Sequence, residues 1–399
     1  MNTLTATGAR RLSPYTLLSL LAAPMRPLPR FPLFLALAFA TACSDSSLGP
    51  STSTEPTSTS AAVSGRITAM TRNIYVGNDV DAIIAALASG DPEAAARAVL
   101  EGADVLRRTD FPTRVTALAA EIARERPHVV GLQEVEELHI NLAAFGSPIV
   151  INQNFLEILR AALAARGLDN YVVAAEVTNT DATPAPGISL TDHDVLLVDE
   201  DRVEWTTVIS ANYAANMGPV APGVSLIRGF VIIDAIIGGQ HIRIANTHLE
   251  SGRGDALSGL RALQAGQLLS EVGTASPAIL LGDFNDPAGS PMYALVRAAG
   301  FSDLWAALQP GARGFTCCHD PDLSNTVPGL DQRLDFIFSR GIAGPQSKVQ
   351  GQVAIIGDQP GDRVQGPDYP IWPSDHAGLV AQFLQAPASG LALARRNAR

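Results

Sequence analysis

Short apolar runs closed by a single polar residue recur along this chain, separated by stretches with helical period. Arg66 to Ile74 alternates well enough to predict a first strand, because successive strand side chains point to opposite faces. The next segments predict helices. Asp79 caps Val80–Ala88, and Asp91-Pro92-Glu93 opens an alanine-rich run to about Arg107. Val115, Leu118, Ala119 and Ile122 form one stripe on a helix over Thr113–Glu125. It stops at Arg126-Pro127, since proline disfavours helical geometry in the residue before it.

His128-Val129-Val130-Gly131-Leu132-Gln133-Glu134 then reads as a short buried strand ending in a carboxylate. A helix from about Asn154 to Ala165 stops at Gly167, and Tyr171–Val177 returns as a strand. The middle is strand-rich: His193–Val198, Val203–Ile209 and Leu226–Ile237, the last turned by Gly238-Gly239 into His241–His248. A helix over Asp255 to about Val272 leads to Ala278-Ile279-Leu280-Leu281, bounded by Pro277 and Gly282. The final third holds a helix at Pro291–Ala299 and strands at Arg333–Phe338 and Ala377–Phe383. Mixed elements of this kind predict a layered α/β (α+β) domain with two sheets, and the strand-rich middle argues against one doubly wound sheet.

The ends change the picture. Met25 to Arg30 is short and basic, followed by the apolar run Phe31–Ala40 and then Thr41-Ala42-Cys43, which together read as a signal region over residues 1–42, with Met25 a better start than Met1. Cleavage after Ala42 releases a soluble exported protein. Acylation at Cys43, preceded by small residues, instead gives a lipoprotein of the cell envelope. The Ser/Thr-rich tether over 43–64 favours the lipid anchor, and residues 386–399 read as a flexible tail behind a domain over 65–385. The formal charge is −11, and the signal region carries Arg10, Arg11, Arg26 and Arg30 with no acid, so the remainder carries −15. Such a surface repels polyanions, and tight non-specific duplex binding depends on Lys and Arg releasing counterions. Cys317-Cys318 is either a vicinal disulfide or, less in keeping with the usual spacing of thiols, part of a metal site.

The polar residues that close or open these strands are Asn73, Glu134, His248, Asp283 with Asn285, Asp335, and Asp375 with His376. An isolated Asp283-Phe284-Asn285 would be an Asx turn. Eight such groups at one rim would be costly filler, since buried charges need partners or a metal. They are the groups that metal-assisted phosphodiester hydrolysis needs: carboxylates for a cation, a histidine for protons, and neutral donors for the oxyanion.

In this order, the segments Thr-Arg-Asn73-Ile-Tyr, Gly-Leu-Gln-Glu134-Val, Asn-Thr-His248-Leu-Glu, Gly-Asp283-Phe-Asn285-Asp, Arg-Leu-Asp335-Phe-Ile-Phe and Ser-Asp375-His376 resemble the endonuclease/exonuclease/phosphatase superfamily. The resemblance spans about Arg66 to Phe383. It implies a four-layer sandwich of two mixed β-sheets flanked by helices, and a metal-dependent phosphoric ester hydrolase using Mg²⁺ (or Mn²⁺/Ca²⁺). It also implies roles. Glu134 resembles the principal metal ligand, and Asp375 a further acid on the metal side. His376 resembles the catalytic histidine, oriented by Asp335. His248 would contact the phosphate or protonate the leaving oxygen, and Asp283 would orient the attacking water. Asn285 would bind a phosphoryl oxygen, with Asn73 near the metal beside the substrate phosphate.

Arg228, in Arg-Gly-Phe, is a further candidate for a substrate phosphate, Asn212 and Tyr213 are candidates for the cleft border, and His193 and Asp194 read as structural. The helical insert Val76–Arg108 is placed to cap or flank the cleft, and Gly314–His319 to wall it.

The resemblance implies a phosphoester substrate: nucleic acid, a small phosphodiester or a lipid phosphodiester. Secreted deoxyribonucleases of the superfamily carry arginine two residues after the metal glutamate, where this chain has Glu136. Aromatics at 6% leave no exposed aromatic hairpin of the sphingomyelinase kind, and a single lysine, Lys348, argues against inositol polyphosphates. A non-catalytic binding protein on the same fold would be expected to have lost part of the acid and histidine set. No protein partner is evident.

Overall fold

A computed structural model describes residues 66–342 and 349–384, without the side chains of 206–208. The expected signal region, tether, Cys43 and C-terminal tail lie outside the described residues. The larger sheet comprises β1 (Arg66–Asn73), β2 (Val129–Gln133), β3 (Glu137–Asn141), β4 (Val150–Asn154), β5 (Tyr171–Ala185), β6 (Ile188–Asp199), β8 (Gly218–Ala221), β9 (Val224–Leu226), β15 (Gly351–Ile356) and β18 (Gly378–Leu384). The smaller holds β7 (Val203–Asn212), β10 (Gly229–Ile237), β11 (Gln240–His248), β12 (Ala278–Asp283), β13 (Ser302–Asp303) and β14 (Asp335–Arg340). A short pair, β16 (Val364–Gln365) and β17 (Pro370–Ile371), stands apart. The helices are α1 (Val80–Ala88), α2 (Pro92–Thr109), α3 (Phe111–Glu125), α4 (Phe155–Ala164), α5 (Asp255–Val272), α6 (Pro291–Ala298) and α7 (Leu304–Leu308).

The pleat sorts each strand into two cores. On β1, Ile67 and Ala69 point into the space between the sheets, and Met70 points outward to α3. On β10 and β12, Val231, Ile233, Ile279 and Leu281 face inward, while Phe230, Ile232, Ala278 and Leu280 pack outward with α5 and α6. That alternation makes four layers, helix–sheet–sheet–helix, the expected sandwich. A polar stitch joins the sheets near one end: Asn246 Nδ2 donates to Leu132 O at 2.9 Å and Val195 O at 3.1 Å. It fits because position 131 is glycine; a Cβ there would lie 2.4 Å from Asn246 Oδ1.

Strand direction decides where the chemistry gathers. β1 and β2 run parallel, as do β11 and β12, so their C-terminal ends share a rim. β14 runs antiparallel to β12 and β18 to β1, so their beginnings meet the same rim, with Asp335 opposite Asp283. The helix and core-strand expectations hold, with α3 starting two residues early because Asp110 caps it through Thr113 N at 3.2 Å.

Strands β3, β4, β8, β9, β13, β15, β16 and β17 are not among the expected ones, and β5 and β6 run well past the expected Val177 and His193. These stretches are short or proline-bearing, and β3 and β4 offer only three buried apolar residues, Leu138, Ile140 and Ile151, too few for a clear strand pattern.

Candidate active site

Asn73 ends β1 and sits between two acids. Its Nδ2 donates to Glu134 Oε1 at 2.8 Å and to Asp283 Oδ2 at 3.2 Å. Glu134, just past β2, has a positive φ of 55°, which turns its carboxylate back so that Oε2 accepts from Val76 N at 2.8 Å. Asp283 is held by Gly282, whose φ of 152° suits glycine and where a Cβ would lie 2.1 Å from Thr247 O. Asp283 Oδ1 accepts from Asn285 N at 2.9 Å, leaving Oδ2 toward the cleft. Burial pushes the Asp283 carboxyl up to about 6, against the pull of the His376 charge.

His376 Nδ1 lies 2.8 Å from Asp335 Oδ2, and both residues are buried. Burial works against the imidazolium, but Asp335, Asp283 and Asp375 outweigh it and hold His376 protonated well above the usual histidine range. A charged imidazole donates at both nitrogens, so Nε2–H faces Asp283 Oδ2, 3.6 Å away. Asp375 is half-buried and receives nothing closer than Ser374 Oγ at 3.5 Å. Burial pushes its carboxyl up to about 7, with His376 lowering it and Glu134 and Asp283 raising it.

His248 is the opposite case. Burial, then the charges of Arg228 and His376, drive its imidazole well below the usual range, so it is neutral. Arg228 Nη1 lies 3.0 Å from Nδ1 and can only donate, so Nδ1 accepts and Nε2 carries the proton. Nε2–H points toward Asp283 Oδ2 at 3.6 Å. Asn285 Nδ2 donates to Leu249 O at 3.0 Å, which makes its 2.9 Å approach to His248 Nε2 a contact between two donors rather than a hydrogen bond.

Arg228, expected at a substrate phosphate, lines the cleft, but its guanidinium is buried among Asp192 (3.5 Å), Glu250 (3.6 Å) and His248. Asn212 and Tyr213, expected at the cleft border, are not on the cavity wall: Asn212 donates to Thr178 O and the Tyr213 hydroxyl meets Thr247 Oγ1 at 2.7 Å. Asp194 does more than hold a strand, because its Oδ2 accepts from His248 N at 3.0 Å. His193 lies away from the site, against Val135 O and Glu176.

Sequence reasoning missed Asp192, Glu250 and Arg114. Arg114 is wholly buried and donates to the carbonyls of Thr109, Ile74, Tyr75 and Pro373, fixing the loops that carry Asn73 and Asp375. A signal existed: Arg114 lies on the apolar stripe of α3, beside Val115 and Leu118.

These groups open into a cavity of about 640 Å³ flanked by α1 and α2 of the insert and walled by Cys317, Cys318 and His319. The sulfurs of Cys317 and Cys318 meet as a vicinal pair, and Cys318 Sγ lies 3.9 Å from His376 Nε2. Among the described residues, the ligand atoms of Asp283, Asp335 and His376 lie within 4.8 Å of one another. Within that group His376 Nδ1 and Asp335 Oδ2 are already paired with each other at 2.8 Å. Glu134 and Asp375 offer the better fit. Both are hard oxygen donors, and the Asp375 carboxylate faces the cavity without a strong hydrogen-bond donor.

The Endonuclease/Exonuclease/phosphatase family model matches residues 99–376. Among solved structures, an endonuclease/exonuclease/phosphatase from Beutenbergia cavernae aligns over 81% of this chain and 72% of its own, at 18% identity and TM-score 0.53. A family protein from Bacteroides thetaiotaomicron aligns over 80% of this chain and 95% of its own, at 16% identity and TM-score 0.50. Truncated TDP2 from Caenorhabditis elegans aligns over 80% and 97%, at 17% identity and TM-score 0.46. At such identities the likeness to the Beutenbergia and Bacteroides proteins is one of fold. No curated protein matches the chain significantly. With the family model covering well over half of its length, the chain belongs to the endonuclease/exonuclease/phosphatase family.

Proposed function

We propose that the chain is a divalent-metal-dependent phosphoester hydrolase of the phosphodiesterase type, with water attacking phosphorus. The observation that carries this reading is Asp283 Oδ2, placed 3.6 Å from both His248 Nε2 and His376 Nε2 and 3.2 Å from Asn73 Nδ2. The two histidines are pushed in opposite directions, one neutral and one cationic, and the acid between them is pushed up toward neutrality. Pairs of titratable groups driven apart in this way mark acid–base assignments.

Glu134 and Asp375 would hold the cation, Mg²⁺ or else Mn²⁺ or Ca²⁺, which when bound supplies Lewis-acid polarisation of a phosphoryl oxygen. The chain's own groups do the rest. Asp283 orients the water and takes its proton as the new P–O bond forms. His376, charged and oriented by Asp335, returns a proton to the ester oxygen as the old P–O bond breaks. His248 Nε2–H, held by Arg228, donates to a phosphoryl oxygen. The second N–H of the Asn285 amide is free to do the same, and Asn73 keeps Glu134 and Asp283 apart.

Export with a lipid anchor at Cys43 is part of the proposal, supported by the sequence of the N-terminal region. Duplex DNA is the less favoured substrate, because Glu136 is buried beside the site at the position where secreted deoxyribonucleases carry arginine.

The test is turnover by the purified chain of bis(p-nitrophenyl) phosphate, single- and double-stranded DNA, RNA and sphingomyelin, with Mg²⁺ or with chelator. Turnover that needs metal and is lost in His376→Ala is expected. No turnover of any substrate, or a His376→Ala variant as active as the parent, refutes the reading. Fatty-acid labelling that survives Cys43→Ala refutes the anchor.

A further inference from the structure

The cavity is larger than a phosphate needs, and its character changes along its length. At the catalytic end lie the carboxylates of Glu136 and Asp192, each buried, each with one oxygen that meets no hydrogen-bond partner. Beyond them the polarity stops. The pleat places Leu138 and Ile140 on one face of β3, with Glu136 just before the strand, and Asp192, Leu190 and Ile188 on the matching face of β6. The register pairs Leu138 with Leu190 and Ile140 with Ile188, so two apolar rungs follow the acidic neck. From Glu136, just ahead of β3, to Ile140 an extended chain covers about 13 Å at about 3.3 Å per residue.

The opposite wall is α1. Val80, Ile83, Ile84 and Leu87 stand at helical spacing on its inner side and line the same cavity, yet no residue of this helix is fully buried. Ile83, Ile188 and Leu190 rest on the buried core around Leu138 and Ile140, yet these three and Val80, Ile84 and Leu87 keep part of their surface open, and that partly open apolar surface is the binding wall. Gly102 of α2 brings it close: a Cβ there would meet Ile83 Cδ1 at 2.5 Å.

We propose that this chamber takes a linear alkyl or acyl chain of the substrate, so that the phosphoester is one of a long-chain alcohol or lipid, bound as a single molecule inside the protein. This rests on the phosphoesterase reading above. Continuity of the chamber with the phosphate-binding groups sets the connection, and the apolar rungs set the chemistry. A nucleic-acid strand is disfavoured as occupant, because further phosphates would have to pass Glu136, Asp192 and Glu250 with Arg228 as the adjacent cation.

The test uses the full chain with Mg²⁺ and non-hydrolysable alkylphosphonates from butyl to decyl, below their micellar concentrations, in isothermal titration calorimetry. Burying a methylene is worth up to about fourfold in affinity. The expected result is a Kd that falls by roughly two- to fourfold per added methylene, with a slope that flattens in the paired variant Ile84→Asn, Leu87→Gln. A Kd equal for butyl and decyl, or a slope as steep in the variant as in the parent, overturns the proposal. Turnover of methyl p-nitrophenyl phosphate separates the two claims. Its absence with Mg²⁺ counts against the catalytic reading alone, because the chain-length series is read by binding.

Discussion

Replacing Asp335 with asparagine removes one charge from a buried pair while keeping the side chain's shape. In the parent, Asp335 Oδ2 and His376 Nδ1 are 2.8 Å apart. A hydrogen bond to a charged group contributes about 1.5–3 kcal/mol. At 1.36 kcal/mol per unit, its loss lowers the His376 pKa by roughly 1–2 units. The direction follows from the parent, where burial opposes the imidazolium and Asp335 leads the charges that sustain it. The variant therefore loses its imidazolium at lower pH, and the alkaline limb of kcat moves toward acid. The same energy corresponds to about 10- to 150-fold in kcat at neutral pH. Stability shifts with it. A histidine with a raised folded pKa contributes stability that is full below its unfolded pKa, about 6.5, and is lost as pH rises through the folded value. Urea unfolding should thus separate parent and variant more at acid than at alkaline pH. The assay is kcat for bis(p-nitrophenyl) phosphate across pH. A variant within about threefold of the parent, with its alkaline limb unmoved, refutes the assigned coupling.

Other substitutions probe separate parts of the site. Asn73→Ala removes the donor between Glu134 and Asp283, so the Mg²⁺ needed for half-maximal activity should rise by about 10- to 100-fold; an unchanged metal titration rejects that role. Gly282→Ala places a Cβ 2.1 Å from Thr247 O at a strained φ, and urea titration should show a loss of about 3 kcal/mol or more. Parent-like stability there would mean that the strand end is more yielding than its geometry implies. Arg72→Met leaves Glu121 buried without its 3.0 Å partner and removes a donor to His376 O, costing about 3–5 kcal/mol. The double variant with Glu121→Leu should recover much of that loss, and failure to recover any would point to the His376 carbonyl contact instead.

The rim was legible because it is written locally. Asn73, Glu134, His248, Asp283, Asp335 and His376 each terminate or open an apolar run, and strand direction alone carries them to one side. What was not legible depends on partners far apart in the chain. Arg228 reads as a free rim arginine until Asp192 and Glu250, distant in sequence, are found against it. Asp194 looks like a strand-edge acid until the backbone of His248 arrives at its carboxylate. The chamber was hidden for a related reason: Leu138 with Ile140, and Ile188 with Leu190, give only two alternating apolar positions per strand, and α1 looks like any amphipathic surface helix.

The chemistry itself can be followed by the fate of oxygen. The purified chain is given bis(p-nitrophenyl) phosphate and Mg²⁺ in ¹⁸O-enriched water, and the products are weighed by mass spectrometry. Attack of water on phosphorus, with Asp283 and His376 exchanging its proton, puts one ¹⁸O into p-nitrophenyl phosphate and none into p-nitrophenol, and the reaction stops on chelation. Label in the phenol, or label in the phosphate at the same rate with chelator present, is incompatible with a metal-dependent attack on phosphorus at this site.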